Sequence, residues 1–159
     1  MPATTRGQRH FALPVAVLLA FVFAVSLASP ADASLRQRKI HNALEVARNQ
    51  KGDPYRYGAD GPRAFDCSGL TKFSYGRAGL FLPRTSGRQA RYSRRIVKRN
   101  MRKGDLMFFY DGGGVYHVGI FTGWNNGRRW VLHSPRPGGR VHAGPVWTGR
   151  WFAGTLRRR

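Results

Sequence analysis

The chain has 159 residues, 28 Lys+Arg against 7 Asp+Glu, and a formal net charge of +21. With 42% hydrophobic and 13% aromatic residues it can bury a core, so wholesale disorder is excluded, and the length leaves little room for a second domain. The single cysteine, Cys67, excludes an intrachain disulfide and a multi-cysteine zinc site.

Arg6 and Arg9 precede an apolar run from Phe11 to Ala28, and Ala31-Asp32-Ala33 supplies a small-x-small pattern before Ser34. These features predict a secretory signal peptide over 1–33. The alternative is an uncleaved anchor, against which stand Pro14 and a run near the lower limit for spanning. Residues 34–159 then form the working domain and keep 26 basic and 6 acidic residues, a net charge of +20. Export turns that charge toward anionic wall polymers or lipids rather than nucleic acid. It also leaves Cys67 a free thiol outside the cell, which calls for a chemical role.

Residues 36–50 are predicted helical, with Leu35, Ile40, Ala43, Leu44 and Ala47 on one apolar face and Gly52-Asp53-Pro54 as the stop. Tyr55–Pro62 is a turn-rich entry segment. Asp66 is a good N-cap for a helix from Cys67 to Ala78, with Gly79 as its left-handed terminator. Thr85 or Ser86 caps a further short helix. Strands are predicted at Asp105–Tyr110, Val115–Trp124, Arg128–Ser134, Val141–Val146 and Trp151–Leu156, with turns at Gly112-Gly113-Gly114 and Asn125-Asn126-Gly127. Helices first and an antiparallel meander afterward is α+β organisation.

Placed in the first turn of its helix, Cys67 faces unsatisfied N–H groups and the positive end of the helix dipole. Such a position, with a nearby imidazolium, lowers a thiol from about 8.5 into the range of about 3.5–7.5. A nucleophilic thiol needs a base, and the base an orienting group. Among the five histidines, His10 lies in the leader and His41 among charged residues; His117, His133 and His142 fall in the predicted sheet. A three-residue loop at Asn125-Asn126-Gly127, placing Trp124 opposite Arg128, sets Gly119 against His133 and His117 diagonally beside it on the same face. A two-residue turn would place the two histidines on opposite faces. Cys67, His117 and His133 are therefore the expected nucleophile, base and orienter.

These residues sit within a longer series of motifs: Gly52-Asp53-Pro54-Tyr55-Arg56-Tyr57-Gly58, Phe65-Asp66-Cys67-Ser68-Gly69-Leu70, Leu82-Pro83-Arg84-Thr85-Ser86 with Gln89, Lys103-Gly104-Asp105-Leu106-Met107-Phe108-Phe109, His117-Val118-Gly119-Ile120-Phe121 and Val131-Leu132-His133-Ser134. In that order they resemble the NlpC-type bacterial cell-wall endopeptidase family. The resemblance implies a papain-like α+β fold, with N-terminal helices packed on an antiparallel sheet. It also implies a Cys-His-His triad on Cys67, His117 and His133, and hydrolysis of peptidoglycan stem peptides at the bond from γ-D-glutamate to a diamino acid. Tyr57 matches an aromatic position whose hydroxyl would help the oxyanion site, and Asp66 and Ser68, which flank the nucleophile, are the other expected oxyanion or substrate-binding residues. Ser134 and the loop at Pro135 and Pro137 are expected to reshape the rim, and wall-binding repeats found in many members are not seen here.

The implied enzyme needs no metal or cofactor and is expected to act as a monomer in the cell wall or envelope. Two alternatives remain open: a non-catalytic basic protein that binds anionic wall polymers, and an amidase or acyltransferase on the same scaffold. Nine basic residues and no acid lie between Arg84 and Lys103. Arg84, Arg88, Arg91, Arg95, Lys98 and Arg102 would form one stripe if that segment were helical, but Ser93, Ile96 and Val97 read equally well as loop or strand.

Overall fold

The computed structural model describes residues 30–157. The predicted leader lies almost wholly outside them; its last residues, 30–33, fall within the first described helix. That helix, α1, runs Pro30–Arg48, so it begins earlier and ends earlier than its sequence pattern suggests. Ile40, Ala43, Leu44 and Ala47 are fully buried, whereas Leu35 is 45% exposed and the packed face starts one turn later than expected. Among the described residues no helix is long and apolar enough to cross a membrane.

Helix α2 spans Cys67–Arg77, and the side chain of its N-cap Asp66 accepts from the Gly69 N–H at 2.7 Å. At its other end Gly79 takes φ +71°, and the Leu80 N–H returns to the Tyr75 carbonyl at 2.8 Å. That closure is the left-handed stop expected of a glycine just past a helix. Helix α3, Ser86–Tyr92, is capped by Thr85. The chain then enters a short strand, β1 (Arg94–Ile96), and a 3-10 turn at Lys98–Asn100. A continuous basic helical stripe is therefore not formed: the helix stops at Tyr92, and the β-branched Ile96 pairs in the sheet.

Five further strands follow: β2 (Leu106–Asp111), β3 (Gly114–Asn125), β4 (Arg128–His133), β5 (His142–Pro145) and β6 (Trp151–Thr155). They form one six-stranded sheet in the order β1-β6-β2-β3-β4-β5, with antiparallel pairing throughout. Alternation along the central strands divides the core. Leu106, Phe108, Val118, Ile120 and Leu132 pack with Ile40, Leu44, Phe65 and Leu70 from the helical half. Met107, Phe109, Phe121, Val131 and Trp151 form a second cluster. Period-two burial of this kind specifies register, because a one-residue slip would turn each apolar set outward.

The β3–β4 register bears directly on the histidines. Asn125 pairs with Arg128, so the hairpin closes through two residues, Asn126 and Gly127, both with positive φ, and not through three. A β-bulge between Phe121 and Gly123 then adds one residue to β3, and Ile120 pairs with Leu132 beyond it. The extra residue restores the parity that the shorter turn would have reversed. Gly119 therefore lies against His133, as expected, although the turn is tighter than expected.

Candidate active site

Three elements converge on Cys67. It opens α2 behind the Tyr55–Phe65 segment, and β3 and β4 bring His117 and His133 from the sheet. His117 Nε2 and His133 Nδ1 are 2.8 Å apart, with ring centroids at 5.1 Å and planes nearly perpendicular. Both rings are buried. Gly119 makes this approach feasible, since a Cβ there would collide with Val131 and crowd the Leu132 carbonyl and His133 Cβ.

A groove passes over the thiol as two lobes of about 390 and 520 Å³, which meet at Cys67, Tyr55 and Tyr116. Tyr57, Asp66 and Ser68 line the first lobe with Arg84 and Ser86. His117, His133, Pro135, Arg136 and Trp147 line the second. Tyr57 stands at the rim, 87% exposed, and Tyr55 is the more enclosed of the two tyrosines. Burial pushes the Tyr55 hydroxyl above its usual pKa, and the neighbouring Cys67 and Asp66 add to the rise.

Asp66 does more than cap the helix. Besides Gly69, its carboxylate accepts from the Gly58 N–H at 3.0 Å, from Ser68 Oγ at 3.1 Å and from both terminal nitrogens of Arg84 at 3.0 and 2.6 Å. Burial alone would raise this carboxyl, but hydrogen bonds from Arg84, Gly69 and Ser68, with the Arg84 charge, hold it below the usual range. With both oxygens engaged, Asp66 clamps the loop ahead of Cys67 to the helix that carries it. From α3 the buried Gln89 side chain donates to the Ser68 and Pro83 carbonyls at 2.9 and 2.8 Å. Ser134, expected at the rim, is instead fully buried and donates to the Phe65 carbonyl at 2.7 Å. The end of β4 is thereby tied to the backbone just before Cys67.

Electrostatically the site departs from its sequence expectation. Burial pushes the Cys67 thiol up, and Asp66 adds to the rise, against backbone N–H groups of Val118 and Ser68 that favour the thiolate. Desolvation outweighs the donors at the helix start. Burial likewise pushes His117 down to about 4, against the pull of Asp66. It pushes His133 down to about 3, helped by His117 and by the neighbouring His142. At neutral pH the resting site is therefore a neutral thiol beside two neutral imidazoles.

Trp147 had no sequence signal. It lies between β5 and β6, stacks on Phe109 at 4.3 Å and 13° and on His133 at 5.1 Å and 22°, and sets its edge against His117. Tyr116 could have been suspected from its place beside His117. His142, paired with His133 across β4 and β5, keeps an exposed ring 4.8 Å from it. Among the described residues no group of three or more His, Cys, Asp or Glu side chains is arranged to hold a metal ion.

Helices packed on an antiparallel sheet, with a thiol at a helix start and paired histidines on the central strands, define a papain-like protein. The NlpC/P60 family model matches residues 52–159, and the chain belongs to that family. It is 47% identical over 80 residues to the probable endopeptidase p60 of Listeria monocytogenes, a match covering 50% of this chain and 16% of that protein. The chain thus spans about one sixth of that relative. Among solved structures it resembles the peptidoglycan hydrolase RipB of Mycobacterium tuberculosis, with a TM-score of 0.68 and 27% identity over 84% of this chain and 74% of that one. It also resembles RipD of the same organism, described as a non-catalytic NlpC/p60 domain protein adapted to peptidoglycan binding. There the TM-score is 0.62 at 27% identity, over 74% of this chain and 97% of that one.

Proposed function

We propose that the chain is an exported cysteine endopeptidase that hydrolyses peptidoglycan stem peptides, with Cys67 as nucleophile, His117 as base and His133 as orienter. The observation that carries this reading is the 2.8 Å contact between His117 Nε2 and His133 Nδ1 beside a half-buried thiol in a groove. If His117 Nε2 carries the proton and donates to His133, its Nδ1 lone pair is left to accept the thiol proton. Both groups rest neutral, so the proton moves as sulfur attacks the stem-peptide carbonyl. A thioester forms as the C–N bond breaks, and His117 returns the proton to the leaving amine. Water then cleaves the thioester, with His117 again taking and returning a proton. A positioned acid–base group of this kind contributes about 10²–10⁴ in rate.

The Cys67 backbone N–H is the first oxyanion donor. Tyr55, enclosed beside the thiol, is better placed than the exposed Tyr57 to supply a second, and Tyr57 contacts substrate at the rim. Asp66 and Ser68 position the nucleophile through Arg84 and Gln89. The favoured bond joins γ-D-glutamate to a diamino acid, and residues 1–33 act as a leader that delivers the 34–159 domain as a monomer.

Substituting Cys67→Ala should abolish release of stem-peptide fragments from purified peptidoglycan, and mass spectrometry of the wild-type digest identifies the bond. Unchanged release would remove Cys67 from the mechanism. Binding without release by the wild-type protein would favour a non-catalytic role like the one described for RipD.

A further inference from the structure

Away from the groove, the structure gathers cations in an unusual manner. Arg95 lies over the Phe152 ring at 4.4 Å, Lys98 over Trp151 at 4.0 Å, and Arg129 over Trp124 at 4.3 Å and Trp151 at 5.5 Å. Among the described residues none of these three cations joins an ion pair. The neighbouring carboxylates are engaged elsewhere: Asp105 is buried against Arg157 at 2.7 Å, and Asp111 accepts from the Gly113 N–H at the β2–β3 turn. After Asp111 the sequence has no acid at all. Arg129 Nε is buried without a hydrogen-bond partner. Burial and the charges of Arg129 and Arg95 push the Lys98 ammonium below its usual pKa.

Aromatic faces hold cations without neutralising them. An Arg fixed by a carboxylate has spent its charge and its fork of donors; an Arg fixed by an indole keeps both for an outside anion. Beside this array is a hollow of about 530 Å³, where β1 ends and the chain turns away from β6, lined by Arg95, Lys98, Tyr110, Trp151 and Phe152. The second core cluster connects it to the candidate active site. Trp151 pairs with Phe109, whose ring stacks on the Trp147 that covers His133.

We propose that this aromatic-backed cation cluster docks a phosphodiester-linked anionic polymer of the wall and holds it beside the hydrolytic groove. Guanidinium forks match paired phosphate oxygens, and each unit of a phosphodiester polymer carries one negative charge for them to meet. Repeated single charges along a flexible polymer suit three separate cations better than one compact anion does. The site rests on the proposed hydrolase function only for its compartment.

The test measures cosedimentation of the Cys67→Ala protein, which leaves walls undigested, so failure of docking and failure of hydrolysis are read separately. Peptidoglycan carrying a poly(glycerol phosphate) polymer is compared with the same material stripped by hydrofluoric acid. Adding Arg95→Gln, Lys98→Gln and Arg129→Gln should weaken retention about tenfold, the sum of three surface charge contacts. A control carrying Lys51→Gln, Arg63→Gln and Arg77→Gln removes equal charge elsewhere and should stay close to the parent. If the triple variant fails to fold, Lys98→Gln alone should still lower retention measurably. Undiminished binding by these variants, equal loss in the control, or full binding to stripped walls would overturn the proposal. So would stronger competition by polyuronate or duplex DNA than by free poly(glycerol phosphate).

Discussion

Acidification offers a direct test of the buried histidine pair. His117 falls from an ordinary 6.5 to about 4 because its ring is withdrawn from water. A depressed folded-state pKa means that between about pH 4 and 6.5 the unfolded chain binds a proton that the folded chain does not. Stability therefore declines as pH falls through that window and recovers as pH rises. Going from pH 7.5 to 5, linkage for this one group gives a loss of about 2 kcal/mol. Asp60 and Asp66, both held below the usual carboxylate range, lose their contribution only at lower pH and leave the window largely to histidine. Urea unfolding at the two pH values, for wild type and His117→Asn, reports chiefly the His117 effect, because every titration except that of the contacting His133 cancels between the proteins. The variant should lose about 2 kcal/mol less than wild type. If the two proteins lose the same stability within about 0.5 kcal/mol, His117 is not buried neutral and the electrostatic account fails.

Three further outcomes are expected. Alkylation of Cys67 by iodoacetamide should rise with pH above the free-cysteine value of about 8.5, with no plateau below pH 7, because burial raises the thiol. A pH-independent fast rate near pH 6 would instead require a preformed thiolate. Arg84→Met removes the two-nitrogen grip on Asp66 and should lower stability by about 1–3 kcal/mol, with Asp66→Asn in the same background recovering part of it. Trp147→Ala uncovers His133, so NMR titration should place that ring closer to 6.5 than to about 3, and an unmoved titration would assign its neutrality to other neighbours.

Much of the architecture was legible because it is written in short-range chemistry. Asp66, Cys67 and Gly79 mark a helix start and stop through capping and φ alone, and alternation in β2 and β3 marks strands that the sheet then pairs. Leu35 misled because periodicity counts a residue whether or not anything packs on it. β1 has three residues and acquires its identity from pairing with β6, a contact about 60 positions away. The segment from Arg84 to Lys103 kept a helical charge spacing past Tyr92, but charges at i and i+4 do not themselves hold a helix. Trp147 was invisible for a related reason. Only the return of the chain between β5 and β6 lays its ring on His133.

The histidine register shows how a correct juxtaposition can rest on a different device. A two-residue Asn126-Gly127 turn with an unbroken ladder would have put His117 and His133 on opposite faces. The bulge ahead of Gly123 reverses that parity, and Gly123, at φ +121°, supplies the backbone freedom to do it. Turn and bulge are therefore coupled: either alone separates the rings, and together they bring Nε2 and Nδ1 within hydrogen-bond reach. The ionisation state follows from the same packing. Helix placement argued for a thiolate, but bringing both rings and the thiol under Trp147, Tyr55 and Tyr116 removes the water that would stabilise separated charges. For the proposed mechanism, this burial selects a neutral pair that transfers its proton only during attack. The fold that assembles the three groups also sets when they become charged.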